Sequence, residues 1–204
     1  MKRALLSVLL LLPCLLVAGT AAAVPASPEA LVRSTSERML SELQASKGVL
    51  KEHPEKLYSL VSEIVLPHFD FEIMARSVLG KYWHRATPEQ RERFVKEFRF
   101  LLVRTYASSL ADYSDQKVIY RPMRPSADPD QATVRTEIEQ KSGFPVPIDY
   151  DLERQGGDWK VVNVTIDNLN LVSNYRSSFG VEIRQIGLAR TIDKLAERNK
   201  QADQ

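Results

Sequence analysis

QATVRTEIEQKSGFPVPIDYDLERQGGDWKVVNVTI, at residues 131–166, is the stretch that decides the fold. Apolar and polar residues alternate along residues 131–140 and again along residues 146–153. This alternation is typical of β-strands with one buried and one solvated face. The turn sequence GGD at residues 156–158 leads into a returning strand at residues 159–166. The stretch therefore predicts an antiparallel meander whose apolar face must be covered by other elements.

Helical patterns lie on both sides of this predicted sheet. The longest begins at the capping sequence TPEQ, residues 87–90, and its apolar residues recur at three- and four-residue steps to Tyr113. The extra width of its apolar face indicates cover on more than one side, because Phe100, Val103 and Ala107 extend the stripe. The other predicted helices span residues 27–46, 54–66, 70–80, 171–186 and 188–199, and a short first strand spans residues 117–121.

Helices before and after a curved antiparallel sheet of about four strands predict an α+β fold. A cone-shaped fold of the NTF2-like kind, with the sheet covered by N-terminal and C-terminal helices, fits this order of elements. Folds of this kind tend to enclose a cavity. Periodicity alone does not separate a filled core from a lined cavity, so both interpretations stay open at this point.

Residues 1–23 have the features of a secretory signal. Two basic residues precede an apolar run at residues 4–12, and three alanines at residues 21–23 provide the small side chains that signal peptidase requires. The run is shorter than the roughly 20 apolar residues of a membrane-spanning helix. We expect cleavage after Ala23, which leaves a single exported domain at residues 24–204.

The cysteine leaves one alternative open at this end of the chain. Cys14 follows the apolar run, where a lipoprotein signal would place a lipidated cysteine, but Pro13 makes the fit poor. If Cys14 leaves with the signal, the mature chain has no cysteine, and its stability must come from a core instead of disulfides.

The charge balance argues against nucleic acid as a partner. Without Lys2 and Arg3, the mature chain has 26 basic and 26 acidic residues. Nucleic-acid binding rests on a basic face that neutralises phosphates, and this near-neutral chain has no such excess.

No catalytic or metal-binding pattern is found in the sequence. The histidines are His53, His68 and His84, and no two of them have the i, i+4 spacing of a helical metal site. No serine or cysteine motif supplies an activated nucleophile. The close acidic series Asp149, Asp151 and Glu153 alternates with apolar residues, so it belongs to the solvated face of a strand. The sequence therefore predicts neither an active site nor a metal site.

Four stretches in order along the chain carry a family resemblance. They are FEIMARSVLGKYW at residues 71–83, ATPEQR at residues 86–91, WKVVNV at residues 159–164 and LVSNYR at residues 171–176. As a set they resemble the MlaC family, the toluene-tolerance auxiliary component of a bacterial lipid-transport system. The chain departs from the family at Asn163, where an acidic residue is usual.

The resemblance implies a periplasmic shuttle that carries phospholipid without converting it chemically. Members of this family hold acyl tails inside an NTF2-like body and leave the head group near the mouth. They pass lipid between an outer-membrane lipoprotein–porin complex and an inner-membrane ABC transporter with its MCE-domain subunit, which maintains outer-membrane lipid asymmetry. We therefore expect phospholipid as cargo, no cofactor, no nucleic acid and a monomeric protein.

Large inward-facing side chains are the candidate lipid-binding residues under this interpretation. On the helical side they are Tyr82, Trp83, Phe98, Leu102 and Tyr106, and on the sheet they are Val134, Ile138, Ile148, Tyr150 and Leu152. Candidate phosphate partners near an opening are Arg76, Lys81 and Arg176.

Two other functions are compatible with the pattern. A periplasmic chaperone or adaptor would expose apolar surface instead of enclosing it. An NTF2-like isomerase would need an ionisable side chain facing the cavity, whereas the predicted inward strand positions are all apolar or threonine.

Overall fold

The computed structural model describes residues 27–53, 55–112, 116–140 and 143–201, without the side chains of residues 108–112. The predicted signal peptide and Cys14 lie outside these residues. The described part of the chain contains seven α-helices, and their order around the sheet is that of the predicted α+β fold: α1 (Pro28–Ala45), α2 (Lys47–Glu52), α3 (Glu55–Ile64), α4 (Phe71–Leu79), α5 (Pro88–Asp112), α6 (Leu171–Ile186) and α7 (Leu188–Gln201). The short helix α2 was not predicted, and 3-10 turns at Leu66–His68 and Gly80–Arg85 flank α4.

Five antiparallel strands form one sheet in chain order: β1 (Val118–Tyr120), β2 (Gln131–Ile138), β3 (Val146–Gln155), β4 (Asp158–Ile166) and β5 (Leu169–Asn170). The sheet has one strand more than expected, because β4 turns back into the two-residue strand β5. The turn residues Asp167 and Asn168 have φ angles of 48° and 64°. Positive φ at both central residues is typical of a tight hairpin turn, and Asp and Asn tolerate it better than most residues do.

The register of the strands confirms the predicted apolar and polar faces of β2. Thr136 pairs with Ile148, and Val134 pairs with Tyr150. Val134, Thr136 and Ile138 are buried, while the residues between them are partly exposed. One face of the sheet therefore points to the protein interior, and this is the face that the helices cover.

A β-bulge interrupts the alternation of β4. Asp151 pairs with Asn163, but the next residue, Leu152, pairs with Val161, so Val162 is an extra residue in the strand. The inward positions consequently shift from odd to even numbers along β4: Trp159 and Val161 precede the bulge, and Val164 and Ile166 follow it. A bulge of this kind bends the strand and increases its twist, so it contributes to the curvature of the sheet.

Local capping fixes the helix boundaries that the sequence predicts. The Asp70 carboxylate accepts a hydrogen bond from the Ile73 amide at 2.8 Å and begins α4. At the start of α5, the Thr87 hydroxyl accepts from the Gln90 amide at 3.3 Å, and the Gln90 side-chain oxygen accepts from the Thr87 amide at 3.1 Å. This reciprocal pair is a capping box and satisfies two amides that the helix leaves unpaired.

The buried apolar residues form two clusters. The larger cluster joins the start of α1, α4, α5 as far as Leu102, the sheet, α6 and α7, and it includes the stacked rings of Phe94 and Phe98, 5.7 Å apart. The smaller cluster joins α1, α3 and α5 around Leu43 and Ile64. Helix α5 therefore contributes to both clusters, as its wide apolar face predicts. Phe100 does not extend that face, because it points to solvent and is 47% exposed.

None of the helices in the described ranges is both long and apolar enough to cross a bilayer.

Candidate functional site

An apolar cavity of about 240 Å³ lies between the inner face of the sheet and the helices. Its walls come from α1, the end of α3, the segment around Phe69 and Phe71, the second half of α5, and strands β1 to β4. The cavity touches members of both core clusters, so it lies where the two clusters meet. Apolar side chains dominate its surface.

The wall from α1 follows the four-residue repeat of a helix. Leu31, Thr35, Met39 and Leu43 lie one turn apart, which places them on one face of α1 directed at the cavity. The sequence predicts an amphipathic helix here, but it gave no reason to assign α1 to the site. The spacing of these four residues is the signal that could have identified this wall.

Five of the ten candidate lipid-binding residues line the cavity: Leu102, Tyr106, Ile138, Ile148 and Tyr150. They share a location, because they belong to the second half of α5 and to the end of the sheet where β2 finishes and β3 begins. These five form a contiguous part of the wall. Their contact with a lipid stays a prediction.

The other five candidates do not line the cavity. Trp83, Phe98, Val134 and Leu152 are buried in the larger core cluster, and Tyr82 packs against that cluster. None of these five is among the residues that line this cavity, and their contact with a lipid stays a prediction. They share that cluster with the aromatic side chains of α5 and α6. The ring of Phe179 packs edge-on against that of Phe94 with 5.2 Å between centroids, and this contact helps to close the core here.

The candidate phosphate partners are not on the cavity wall either. Arg76, Lys81 and Arg176 are exposed residues of α4, the turn after it and α6. The Lys81 ammonium lies 5.3 Å from the centre of the Tyr82 ring. The Arg176 guanidinium lies against Gly80, at the end of α4. The structure groups them near this end of α4, and their contact with a head group stays a prediction.

The titratable side chains on the wall favour their neutral forms. Burial raises the pKa of Tyr150 to about 12 despite its contact with the Thr136 hydroxyl, which acts in the opposite direction. Burial also raises the pKa of Tyr106 to about 12. The pKa of His68 is lowered by burial and by the positive charges of Lys160 and Arg38. The described wall therefore carries no charged group near neutral pH.

A small number of hydroxyl and amide groups interrupts the apolar wall. They belong to Thr35 and Ser36 on α1, to Tyr106 on α5, to Gln116 before β1, and to Thr136 and Tyr150 on the sheet. The Thr136 hydroxyl donates to the Ile148 carbonyl oxygen at 3.0 Å. In contrast, Thr35 Oγ1 and Gln116 Oε1 are buried without a hydrogen-bond partner among the described residues. The polar atoms are concentrated between α1 and the β1 edge of the sheet.

The outer face of the sheet carries the acidic series, as its alternation predicts. Asp151 accepts hydrogen bonds from the Thr133 hydroxyl and from the Asn163 amide, both at 2.9 Å. Asn163 also accepts a hydrogen bond from the Val172 amide at 3.3 Å, and so links the sheet to the start of α6. Across the described ranges, His, Cys, Asp and Glu side chains form no group of three that could hold a metal ion.

Comparison with known proteins identifies the family. The family model described as MlaC protein matches residues 33–197. The chain belongs to the MlaC family. The matched range includes most of α1 and all of the sheet, and thus nearly every wall of the cavity.

Individual relatives span most of the chain. A toluene tolerance protein, ttg2D, from Pseudomonas putida is 31% identical over 207 aligned positions, which cover 100% of this chain and 93% of the relative. The intermembrane phospholipid transport system binding protein MlaC of Haemophilus influenzae is 27% identical over 86% of this chain and 83% of its own length.

A solved structure has the same fold. The phospholipid-binding protein from Ralstonia solanacearum, determined in complex with a phospholipid, is 31% identical to this chain and superposes with a TM-score of 0.81. The match covers 88% of this chain and 100% of that protein. The predicted fold class is thereby confirmed.

Proposed function

We propose that this chain is a periplasmic carrier that binds phospholipid and moves it between the outer and inner membranes without chemical change. The observation that carries the proposal is the apolar, uncharged cavity enclosed between sheet and helices. The proposal is also supported by the Ralstonia protein of the same fold, whose structure was determined with a phospholipid bound.

The chemistry of the cavity suits the transfer of acyl chains. Each buried methylene group stabilises an acyl chain by about 0.8 kcal/mol, so exposing a sixteen-carbon chain to water costs on the order of 10 kcal/mol. A carrier must match the bilayer interior, because a much weaker site would not extract the lipid and a much tighter one would not release it. Aliphatic and aromatic walls without charged groups provide such an environment.

The volume of the cavity bears on how a lipid enters. At about 240 Å³ it is smaller than the roughly 300–1,000 Å³ that pockets for drug-sized ligands occupy. Uptake of a phospholipid therefore requires the walls to separate. The boundary between the two core clusters is the place where this costs least, since fewer packed contacts cross it.

The proposed partners follow from the family. An outer-membrane lipoprotein–porin complex and an inner-membrane ABC transporter with an MCE-domain subunit would deliver and receive the lipid, and the carrier would act as a monomer without a cofactor. This exchange would maintain outer-membrane lipid asymmetry.

The two competing functions find less support in the structure. A chaperone or adaptor would present a continuous apolar surface, whereas the exposed large apolar residues are spread over four helices, a hairpin loop and an edge strand: Val49, Tyr58, Phe100, Phe144, Leu169 and Val181. An isomerase would need an acid–base pair, and the described wall offers His68 without a carboxylate beside it.

A transfer assay tests the proposal. Donor vesicles contain a self-quenched fluorescent phospholipid, acceptor vesicles lack it, and a filter that passes only protein separates the two populations. The carrier should raise the rate of fluorescence recovery in proportion to its concentration. A transfer rate equal to that without protein would contradict the proposed function.

A further inference from the structure

Two hydroxyl groups near the cavity have no partner for their protons. Thr35 Oγ1 and the Tyr120 hydroxyl are buried without a hydrogen bond of acceptable geometry among the described residues. Burial raises the pKa of Tyr120, and the neighbouring Ser36 hydroxyl only partly offsets the rise. Buried polar groups are normally hydrogen-bonded, so an orphaned pair requires an explanation.

The two hydroxyls belong to the same region of the interior. Thr35 is on the cavity wall, one turn after Leu31 on α1. Tyr120 pairs across β1 and β2 with Thr136, which is also on the wall. Helix α1 lies over this edge of the sheet, since the Arg33 guanidinium stacks on the Tyr120 ring at 3.8 Å. Thr35, Ser36, Tyr120 and Thr136 thus form a polar row where α1 meets β1 and β2.

Thr136, another member of this row, has already used its donor. Thr136 donates to the Ile148 carbonyl oxygen at 3.0 Å, and its own oxygen interacts with the Tyr150 hydroxyl. The Ser36 hydroxyl contacts the Tyr120 oxygen, and the protons of Thr35 and Tyr120 have no acceptor of acceptable geometry among the described residues. The row therefore offers neutral hydroxyl donors and lacks a cation, because the nearby Arg33 is paired with Glu29 at 2.8 Å. It suits an uncharged acceptor better than a phosphate.

The interior of a carrier must also accommodate the polar atoms that adjoin the acyl tails. A diacyl phospholipid has an ester carbonyl at the head of each chain, and each carbonyl accepts hydrogen bonds but donates none. Burial of such a carbonyl in an apolar cavity is unfavourable unless a donor is provided. The hydroxyl donors beside the apolar cavity of the protein are therefore complementary to the carbonyl acceptors beside the acyl chains of the lipid.

We infer that the hydroxyls of Thr35 and Tyr120 bind the acyl-ester carbonyls of the lipid and so select ester-linked over ether-linked chains. This inference rests on the proposed function and adds a specificity to it. It places the ester end of the cargo between α1 and β1, whereas Arg76, Lys81 and Arg176 belong to α4, the turn after it and α6. A dialkyl ether lipid with the same head group and chain length lacks the carbonyl oxygens and leaves both hydroxyls unpaired.

Competition between two lipids tests the inference. Delipidated protein is incubated with equal amounts of a diacyl phosphatidylethanolamine and its dialkyl ether analogue, and mass spectrometry gives the ratio of the two lipids bound. We expect the wild-type protein to favour the diacyl lipid about fivefold, since a hydrogen bond contributes on this order. Equal binding by the wild-type protein would overturn the inference, and this outcome needs no variant.

Variants test whether the preference for the diacyl lipid depends on these two hydroxyls. The double variant Thr35→Val with Tyr120→Phe removes both hydroxyls with little change of shape, and should bind the two lipids in a ratio near one. The matched control, Thr105→Val with Tyr58→Phe, removes exposed hydroxyls of α5 and α3 and should keep the wild-type ratio. A double variant that keeps the wild-type ratio would also overturn the inference. Binding of neither lipid would instead contradict the proposed function, and the inference with it.

Discussion

Gly80 shows how a single residue joins two helices. It ends α4 with φ 52° and ψ −121°, a conformation that residues with a side chain rarely adopt. A Cβ atom at this position would lie 2.8 Å from Arg176 Nη2 on α6. The sequence predicts the end of the helix at Gly80, but the close approach of Arg176 is a tertiary contact that no local pattern indicates.

Gly80→Ala should lower the free energy of unfolding by about 1–3 kcal/mol, because the backbone would be strained and Arg176 would be displaced. Chemical denaturation followed by circular dichroism measures the change. The matched control is Gly48→Ala on the exposed helix α2, where nothing lies within 4 Å of the added methyl group. That control should be neutral or stabilising by up to about 1 kcal/mol. Equal effects of the two substitutions would contradict the account of Gly80.

The site shows the limit of sequence reasoning at the residue scale. Alternation identified Ile148, Tyr150 and Leu152 correctly as residues of the inner face of β3. It did not distinguish the first two, which line the cavity, from Leu152, which is packed in the core. The difference depends on what covers each point of the sheet, and that is decided by residues far away in sequence.

At the scale of elements, capping and periodicity predicted nearly all of the boundaries. Helices α4, α5, α6 and α7 begin and end within a few residues of the expected positions. The bulge at Val162 was not predicted, since the sequence VVNV at residues 161–164 does not show which residue is the extra one. The role of α1 was missed for a similar reason: its repeat defines an apolar face without indicating that the face borders a cavity.

Filling the cavity from two different elements should prevent lipid uptake. Leu102→Trp on α5 and Ile148→Trp on β3 each add a large side chain to the wall, and we expect each to reduce phospholipid binding roughly tenfold or more. The measurement is the amount of phospholipid per protein after export, with circular dichroism to verify folding.

Val181→Trp is the matched control for these two variants, because Val181 is 46% exposed on α6 and not on the wall. It should bind as much lipid as the wild-type protein. Unchanged lipid content in both folded cavity variants would remove Leu102 and Ile148 from the binding site.

At the scale of the whole molecule, the cavity lies between two separately packed clusters. The larger cluster joins the sheet, α4, α6 and α7 with the start of α1 and part of α5, while the later turns of α1 pack with α3 and the end of α5 in the smaller cluster. Under the proposed function, this division is what combines a stable core with an interior that opens to lipid. The enclosing α+β fold could be predicted from the order of helices and strands, whereas the position of the cavity depends on packing between distant elements.

The most direct test of the central claim is the lipid content of the purified protein. The full chain is produced with its N-terminal segment intact, purified without detergent, and extracted with organic solvent for mass spectrometry. The account predicts phospholipid in the extract at an amount comparable to that of the protein, and its loss in the Leu102→Trp variant. Wild-type protein that is folded and exported, and yet yields no phospholipid, would contradict it.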